Sequence, residues 1–133
     1  ILNVDRFVST GHTKNQLEIV QAFVLLVKEE PDLTRGWELV LVGSTNDDRY
    51  VHQVTEAARG FPVRLILNAP FEEVRQRYAT SALYVHASGF GRDAETEPEL
   101  LEHFGMAVVE AVASGCVPIV YGAAGPKEVV DIL

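Results

Sequence analysis

The sequence predicts an α/β domain built on a doubly wound, Rossmann-like parallel sheet. Short segments rich in Val, Ile and Leu alternate along the chain with longer segments that have the periodicity of amphipathic helices. Strands of this composition, separated by helices, are typical of a parallel sheet covered on both faces. A chain of 133 residues is long enough for one such domain with a sizeable core. We therefore expect residues 1–133 to form a single domain.

The domain is predicted to open with a strand over residues 1–5, followed by a long helix. Thr13, with Gln16 three residues later, has the spacing of a capping box, and the helix is expected to run to about Glu29. Pro31 closes this helix because proline cannot continue it. Its apolar residues share one face, which should pack on the sheet: Val20, Phe23, Val24 and Val27.

The next strand is predicted over residues 37–43 and ends in Gly43, where a turn or a ligand needs room. A helix over residues 48–59 follows it, and Gly60 ends that helix. A third strand covers residues 63–67. These elements continue the alternation of strand and helix.

The second half of the chain repeats the alternation around a long loop. A helix begins after Pro70, marked by apolar residues at helical spacing: Phe71, Val74 and Tyr78. A strand over residues 83–86 leads into a loop over residues 88–101. A buried strand over residues 117–121 is the last one predicted.

Between that loop and the last strand lies an apolar helix with a single charge, Glu110, and Gly115 ends it. A carboxylate on an apolar helix needs a partner or faces a cavity, because burying it unpaired is costly. Glu102 precedes Glu110 by eight residues. Gly105 at the helix start leaves backbone N–H groups open to a ligand, and the helix dipole favours an anion there.

Composition limits the classes of function. The net charge of −8 argues against a nucleic-acid or anionic-membrane surface, so a phosphate ligand would need local basic residues. No apolar run approaches the roughly 20 residues that span a bilayer, and we expect a cytoplasmic protein. The single Cys116 cannot form an intrachain disulfide, and we expect it in the core.

Ligands of doubly wound folds bind outside the carboxyl ends of the strands. Arg6, Gly43, the loop 88–101 and the turn 102–105 are all predicted at that edge. On spacing alone, Arg6 and Lys14 are solvated charges. A lysine in the first turn of a helix opposes the helix dipole, which favours a bound anion nearby.

Two motifs resemble a known family. Residues 102–120 read E-H-F-G-M-x-x-x-E-A-x-A-x-G-x-x-P-x-V, and G-P-K-E follows at residues 125–128. Residues 5–16 read D-R-F-x-x-x-G-H-x-K-N-Q. Together they resemble the signatures of the retaining GT-B glycosyltransferases of group 1 (family 4 type), which use nucleoside-diphosphate sugars. The resemblance spans nearly the whole chain and implies the carboxyl-terminal, nucleotide-sugar-binding half of a GT-B fold.

The resemblance also implies roles for individual residues. Arg6 and Lys14 would neutralise the donor diphosphate, Glu102 would contact the transferred sugar, and Glu110 would accept hydrogen bonds from the ribose hydroxyls. The nucleotide would further contact Gly43 and the start of the apolar helix: Phe104, Gly105, Met106 and Ala107. No metal ion or other cofactor is required. Glycine more often stands in the family where this sequence has Asp5.

The implied reaction transfers a sugar from a nucleoside-diphosphate sugar to an acceptor hydroxyl. His103 stands where the family most often has glycine, and the E-H-F-G variant occurs among relatives acting on lipid-linked sugars. A lipid-linked glycan is therefore one expected acceptor, reached by peripheral contact at the cytoplasmic face of a membrane. No nucleic-acid partner is expected.

Both ends of the sequence lie inside predicted elements, since it begins without methionine in a strand and stops at Ile132–Leu133 on a helix. We expect a piece of a longer protein. The resemblance implies that the amino-terminal acceptor domain and a final strand and helices are absent, so that the isolated chain would be inactive.

Other interpretations stay open. Residues 89–94 fit the dinucleotide fingerprint G-x-G-x-x-A, but a charged loop follows where the fingerprint needs a helix, which disfavours a dehydrogenase. The carboxylates of the loop 93–102 allow a metal site, although a solvated loop is favoured. His86 is either a core histidine or a site residue. The competing function is a non-catalytic nucleotide- or phosphosugar-binding domain.

Overall fold

Five parallel strands form one sheet, in the order β3-β2-β1-β4-β5, in the computed structural model, which describes residues 1–132. The strands are β1 (Leu2–Val4), β2 (Leu39–Gly43), β3 (Val63–Leu67), β4 (Leu83–His86) and β5 (Val117–Val120). The helices are α1 (Gln16–Glu29), α2 (Asp48–Ala58), α3 (Phe71–Thr80), α4 (Met106–Ala113) and α5 (Ala124–Asp131), with a short 3-10 helix at Pro98–Leu100. Leu133, which ends the predicted domain and its last helix, lies outside the described residues. The predicted doubly wound α/β class is confirmed.

Three predictions need correction. The last strand, predicted as buried over residues 117–121, ends at Val120 and is an edge strand with Val117 and Ile119 exposed. The strand expected from residue 37 begins at Leu39, because the Trp37 N–H donates to the Thr34 carbonyl oxygen (3.0 Å) in the preceding turn. The predicted capping box is wrong. Asn15 is the N-cap of α1, with φ of 55°, and the Thr13 hydroxyl donates to its side-chain oxygen. The Gln16 side chain turns away from the helix start, since its amide donates to the Arg6 carbonyl oxygen (2.9 Å).

Apolar side chains cover both faces of the sheet, as the composition predicts. On one face, Phe7 packs with the buried sides of α1 and α2: Ile19, Val20, Phe23, Tyr50, Val54 and Ala58. Val24 and Val27 are partly buried against this cluster, so the predicted inner face of α1 is confirmed. On the other face, the core joins strand residues to α3 and α4: Leu2, Val40, Val42, Tyr78, Tyr84, Val108, Ala111 and Cys116. The predicted core position of Cys116 is therefore confirmed, and burial raises the pKa of its thiol.

The strand order reverses beside β1, which positions the ligand-binding edge. Leu2 pairs with Val40 of β2 on one side and with Tyr84 of β4 on the other. The connection from β1 therefore leads away from β4, and a crevice opens between the carboxyl ends of these two strands. None of the helices within residues 1–132 is long and apolar enough to cross a membrane.

Candidate functional site

A cavity of about 440 Å³ lies at the carboxyl ends of β1 and β4, at the crevice just described. The residues that line it are Asp5, Arg6, Lys14, His86, Glu102, His103, Phe104, Gly105, Met106 and Ala107. The structure thus brings together the two basic residues, the first glutamate and the helix start that the sequence singled out. Of the predicted site residues, Gly43 and Glu110 lie outside its lining.

The residues that follow Lys14 hold it at the cavity. Asn15 is buried in the left-handed conformation, and its amide donates to the carbonyl oxygens of Ala87 (2.7 Å) and Phe90 (3.3 Å) in the loop after β4. Gln16 is fully buried and bonded to the Arg6 carbonyl. The start of α1 is therefore tied both to β1 and to the loop after β4. Sequence reasoning missed these two residues as positioning groups, although they belong to the K-N-Q part of the motif.

Lys14 is the centre of a partly buried charge network. Its ammonium group donates to Glu102 Oε2 and lies 3.9 Å from Asp5 Oδ1, and the Lys14 side chain is only 11% exposed. Burial of Glu102 would raise the pKa of its carboxyl, but the hydrogen bond and the charge of Lys14 outweigh burial and hold this pKa below its usual value. Arg6 is exposed at the rim and forms no ion pair with any residue from 1 to 132. One of the two predicted cations is thus neutralised, and the other is available.

Asp5 is fixed on the side of the network opposite Glu102. Its Oδ2 accepts a hydrogen bond from the Asn3 amide (3.3 Å) and lies 3.0 Å from His86 Nδ1. His86 is almost fully buried and stacks on Tyr84, with ring centroids 6.2 Å apart. Neither imidazole nitrogen makes a well-directed hydrogen bond to a described residue. Two interpretations of His86 are open from the sequence, a core histidine or a site residue. The structure agrees with both, since His86 is buried and also lines the cavity.

The turn that carries Glu102 is held from behind by the start of α5. The Gly125 N–H donates to the Glu102 carbonyl oxygen (3.1 Å), and a side chain at Gly125 would lie 2.2 Å from the His103 oxygen. Gly105 caps α4 with φ of 80°, and Pro126 packs closely against it. The G-P-K-E part of the motif is therefore a structural support for the turn 102–105.

The first residues of α4 line the edge of the cavity. Because the first residues of a helix have no intrahelical acceptor, the N–H groups of Met106 and Ala107 are available to a ligand. The Phe104 and Met106 side chains are exposed at the rim, 59% and 70% respectively. A ligand here would therefore meet backbone donors of α4, and the helix dipole would favour its negative charge.

Glu110 lies one turn further along α4 and is exposed. The buried Tyr78 hydroxyl donates to Glu110 Oε2 (3.1 Å), and the pKa of Tyr78 is raised by burial and then by the charge of Glu110. Because Glu110 is exposed, it does not need the partner that a buried carboxylate would require, although it accepts a hydrogen bond from a tyrosine of α3. No sequence spacing points to Tyr78, because it is 32 residues away.

Gly43 lines a neighbouring cavity of about 340 Å³, which shares Asp5 and Arg6 with the first. A Cβ atom at Gly43 would lie 1.8 Å from the Asp5 carbonyl oxygen. Close packing of β2 against the end of β1 therefore requires glycine here, whatever its role towards a ligand. The remaining lining comes from the ends of β1 and β2, the loop after β3 and α3: Val4, Val42, Ser44, Asn68, Ala69 and Val74.

The segment that fits the dinucleotide fingerprint forms turns and no helix, which agrees with rejecting a dehydrogenase. The acidic loop is held locally. The Glu95 N–H donates to Asp93 Oδ1 (2.8 Å) and lowers the pKa of that carboxyl, and Arg92 pairs with Glu97.

Comparison with known proteins identifies a family and several relatives. The sequence profile of the family described as "Glycosyl transferases group 1" matches residues 1–131. A Neurospora crassa protein named GDP-Man:Man(3)GlcNAc(2)-PP-Dol alpha-1,2-mannosyltransferase is 33% identical over 116 residues, covering 86% of this chain and 20% of the relative. The Xenopus laevis protein of the same name is 27% identical over 114 residues, covering 81% and 21%. The chain therefore spans about a fifth of the length of these relatives.

Solved structures match the fold. A UDP-forming α,α-trehalose-phosphate synthase from Burkholderia xenovorans superposes with a TM-score of 0.74 at 18% identity, covering 96% of this chain and 30% of that one. The catalytic domain of Starch Synthase IV from Arabidopsis thaliana, bound to ADP and acarbose, gives 0.62 at 21% identity, covering 96% and 22%. At these identities the likeness shows a shared fold.

Proposed function

Because this chain belongs to the glycosyl transferases of group 1 and has the fold of a GT-B carboxyl-terminal half, we propose that it binds the nucleoside-diphosphate sugar of a retaining glycosyltransferase. The observation that carries the proposal is the single cavity lined by Arg6, Lys14, Glu102 and the start of α4. It offers two cations and backbone N–H groups to a diphosphate and a carboxylate to a sugar.

In the proposed reaction, negative charge develops on the departing nucleoside diphosphate. Arg6 and Lys14 stabilise it by charge-assisted hydrogen bonds, and the N–H groups of Met106 and Ala107 add backbone donors along the dipole of α4. The backbone that carries Lys14 and the start of α4 is held before the donor arrives, since Asn15 is bonded to the loop after β4 and Gly125 to the turn before α4. Leaving-group stabilisation by these residues requires no metal ion.

Glu102 has a role that depends on Lys14. In the structure the two side chains are paired, so an arriving diphosphate competes with Glu102 for the ammonium group. Once Lys14 turns to the phosphate, the Glu102 carboxylate is released for the hydroxyls of the transferred sugar or its oxocarbenium-like centre. Donor binding thus exchanges an internal ion pair for two contacts with the ligand.

Glu110 is proposed to accept hydrogen bonds from the ribose hydroxyls. It lies one turn beyond the cavity lining, at the side where the nucleoside would extend from the diphosphate. The Tyr78 hydroxyl fixes one carboxylate oxygen and leaves the other available. Gly43 and the neighbouring cavity would lie beside the nucleoside.

The relatives suggest which donor to test first. Both mannosyltransferases carry GDP-Man and a dolichol-linked glycan in their names. We therefore take GDP-mannose as the donor of this chain and a lipid-linked glycan as its acceptor. The acceptor would be bound by a further domain of a longer protein acting at the cytoplasmic face of a membrane.

A binding experiment tests the proposal. Isothermal titration calorimetry with GDP should give a measurable dissociation constant for the wild-type chain. The double variant Arg6→Ala/Lys14→Ala should bind GDP much more weakly. Each lost charge-assisted hydrogen bond contributes about 1.5–3 kcal/mol, which is roughly 10- to 150-fold per residue.

Arg35→Ala/Arg59→Ala is the matched control, because both arginines are exposed and pair only with surface carboxylates. Equal GDP affinity in all three proteins would refute the proposed site. GDP binding without release of GDP from GDP-mannose, in a protein that also carries the acceptor domain, would favour the non-catalytic alternative.

A further inference from the structure

Asp5 is an anionic group at the place where the proposed ligand carries its own negative charge. Its side chain is only 10% exposed and lies on the cavity wall next to Arg6. The carboxylate accepts a hydrogen bond from the Asn3 amide and packs beside the buried His86 ring, 3.0 Å from its Nδ1. It is therefore a fixed part of the cavity, unlike the carboxylates of the exposed loop.

Lys14 stands between two carboxylates. Asp5 Oδ1 lies 3.9 Å from its ammonium group, and Glu102 contacts that group directly. Glu102 can leave when a ligand arrives, because it sits on a turn at the cavity mouth and is the more exposed of the two, 23% against 10%. Asp5 cannot leave in this way, because it directly follows β1, is nearly buried and accepts a hydrogen bond from Asn3.

We infer that Asp5 sets the affinity of this site for nucleoside diphosphates, because its carboxylate partly neutralises the charge of Lys14 both before and after the ligand binds. The inference rests on the proposed function. A permanent carboxylate beside the cation lowers the positive potential that a diphosphate meets. The site is thereby biased against retaining the released nucleoside diphosphate, and Asp5 is a residue that determines affinity without touching the reacting atoms.

The charge dependence of binding separates this role from a structural one. Titrations with guanosine, GMP and GDP compare wild type with Asp5→Asn, which keeps the shape and removes the charge. Asp5→Asn should bind GDP about 3- to 10-fold more tightly than wild type does. Its affinity for GMP should rise by a smaller factor, and its affinity for guanosine should not change. Asp5→Ser, measured alongside, should shift GDP affinity in the same direction.

Asp32→Asn is the control for net charge, because Asp32 is 91% exposed and pairs only with Arg35. It should leave all three affinities within about 2-fold of wild type. Weaker GDP binding by Asp5→Asn and Asp5→Ser would overturn the inference and show that Asp5 positions Lys14 for the ligand. An equal gain for guanosine would also overturn it, as a change of the pocket itself. Wild type that fails to bind GDP would refute the proposed function, and the inference with it.

Discussion

Replacing Glu102 by glutamine tests the charge network through stability and without any ligand. The substitution keeps an oxygen that can accept from Lys14 but removes the negative charge. The ammonium of Lys14 can still donate to the glutamine oxygen, so the substitution removes only the attraction between the two charges. Ion pairs at exposed sites contribute about 0.2–1 kcal/mol, and because the Lys14 and Glu102 side chains are only 11% and 23% exposed, we take the upper end of that range. Glu102→Gln should therefore be less stable by about 1 kcal/mol at pH 7.

The pH dependence gives the sharper test. The folded-state pKa of Glu102 is lowered, so its contribution is fully present above the unfolded-state pKa of about 4.3 and is lost as pH falls through the lower folded-state pKa. The glutamine variant has no such group. The gap in stability between wild type and Glu102→Gln should thus be constant near neutrality and shrink below about pH 4.

Urea unfolding at several pH values measures both quantities. With a slope of about 2 kcal/mol per molar, the expected shift of the midpoint at pH 7 is about 0.5 M. Glu99→Gln is the control, because Glu99 is exposed and forms no ion pair with any residue in 1–132. A gap that persists unchanged at acid pH, or an equal effect of Glu99→Gln, would refute the ion pair as the source of stability.

Two further predictions concern the supports of the site. Tyr78→Phe should weaken GDP binding about 3- to 10-fold in titration calorimetry, because Glu110 loses the hydroxyl that orients it. The control Tyr121→Phe should leave GDP binding unchanged. Equal GDP affinities of the two variants would contradict the role of Tyr78. Gly125→Ala should destabilise the chain by about 3 kcal/mol in urea unfolding, because its Cβ would overlap the His103 carbonyl oxygen. Gly122→Ala is the control and should not do so, because a Cβ there would meet no atom within 4 Å. Similar losses for both glycine variants would show that the packing behind the turn is unimportant.

Most of the fold could be predicted because its signals are local. Val-, Ile- and Leu-rich segments gave the strands, and the apolar face of α1 gave its packing. The error at the start of α1 had a physical cause. Thr13 and Gln16 have the spacing of a capping box, but the long-range partners of Gln16 and Asn15, in β1 and in the loop after β4, outweigh that local pattern.

Only part of the candidate site could be predicted from the sequence. Arg6, Lys14, Glu102 and Gly105 could be grouped from motif and topology, since the carboxyl ends of parallel strands meet at one edge. The roles of Asp5, His86 and Tyr78 depend on side-chain contacts between residues 81 positions apart (Asp5 and His86) and 32 positions apart (Tyr78 and Glu110), which no spacing in one sequence encodes. Whether any of the predicted site residues binds a nucleotide stays a prediction.

The separation of Lys14 and Glu102 has a consequence for folding. They are 88 residues apart in the chain and meet only when β1 and β4 pair, so the cavity is among the contacts of highest sequence separation. Such contacts form late, because closing a long loop reduces chain entropy before any contact rewards it. A nucleotide that needs both sides of the cavity would bind the native state alone. At 100 times its dissociation constant it would raise the free energy of unfolding by about 2.7 kcal/mol, which makes the ligand a reporter of the fully assembled sheet.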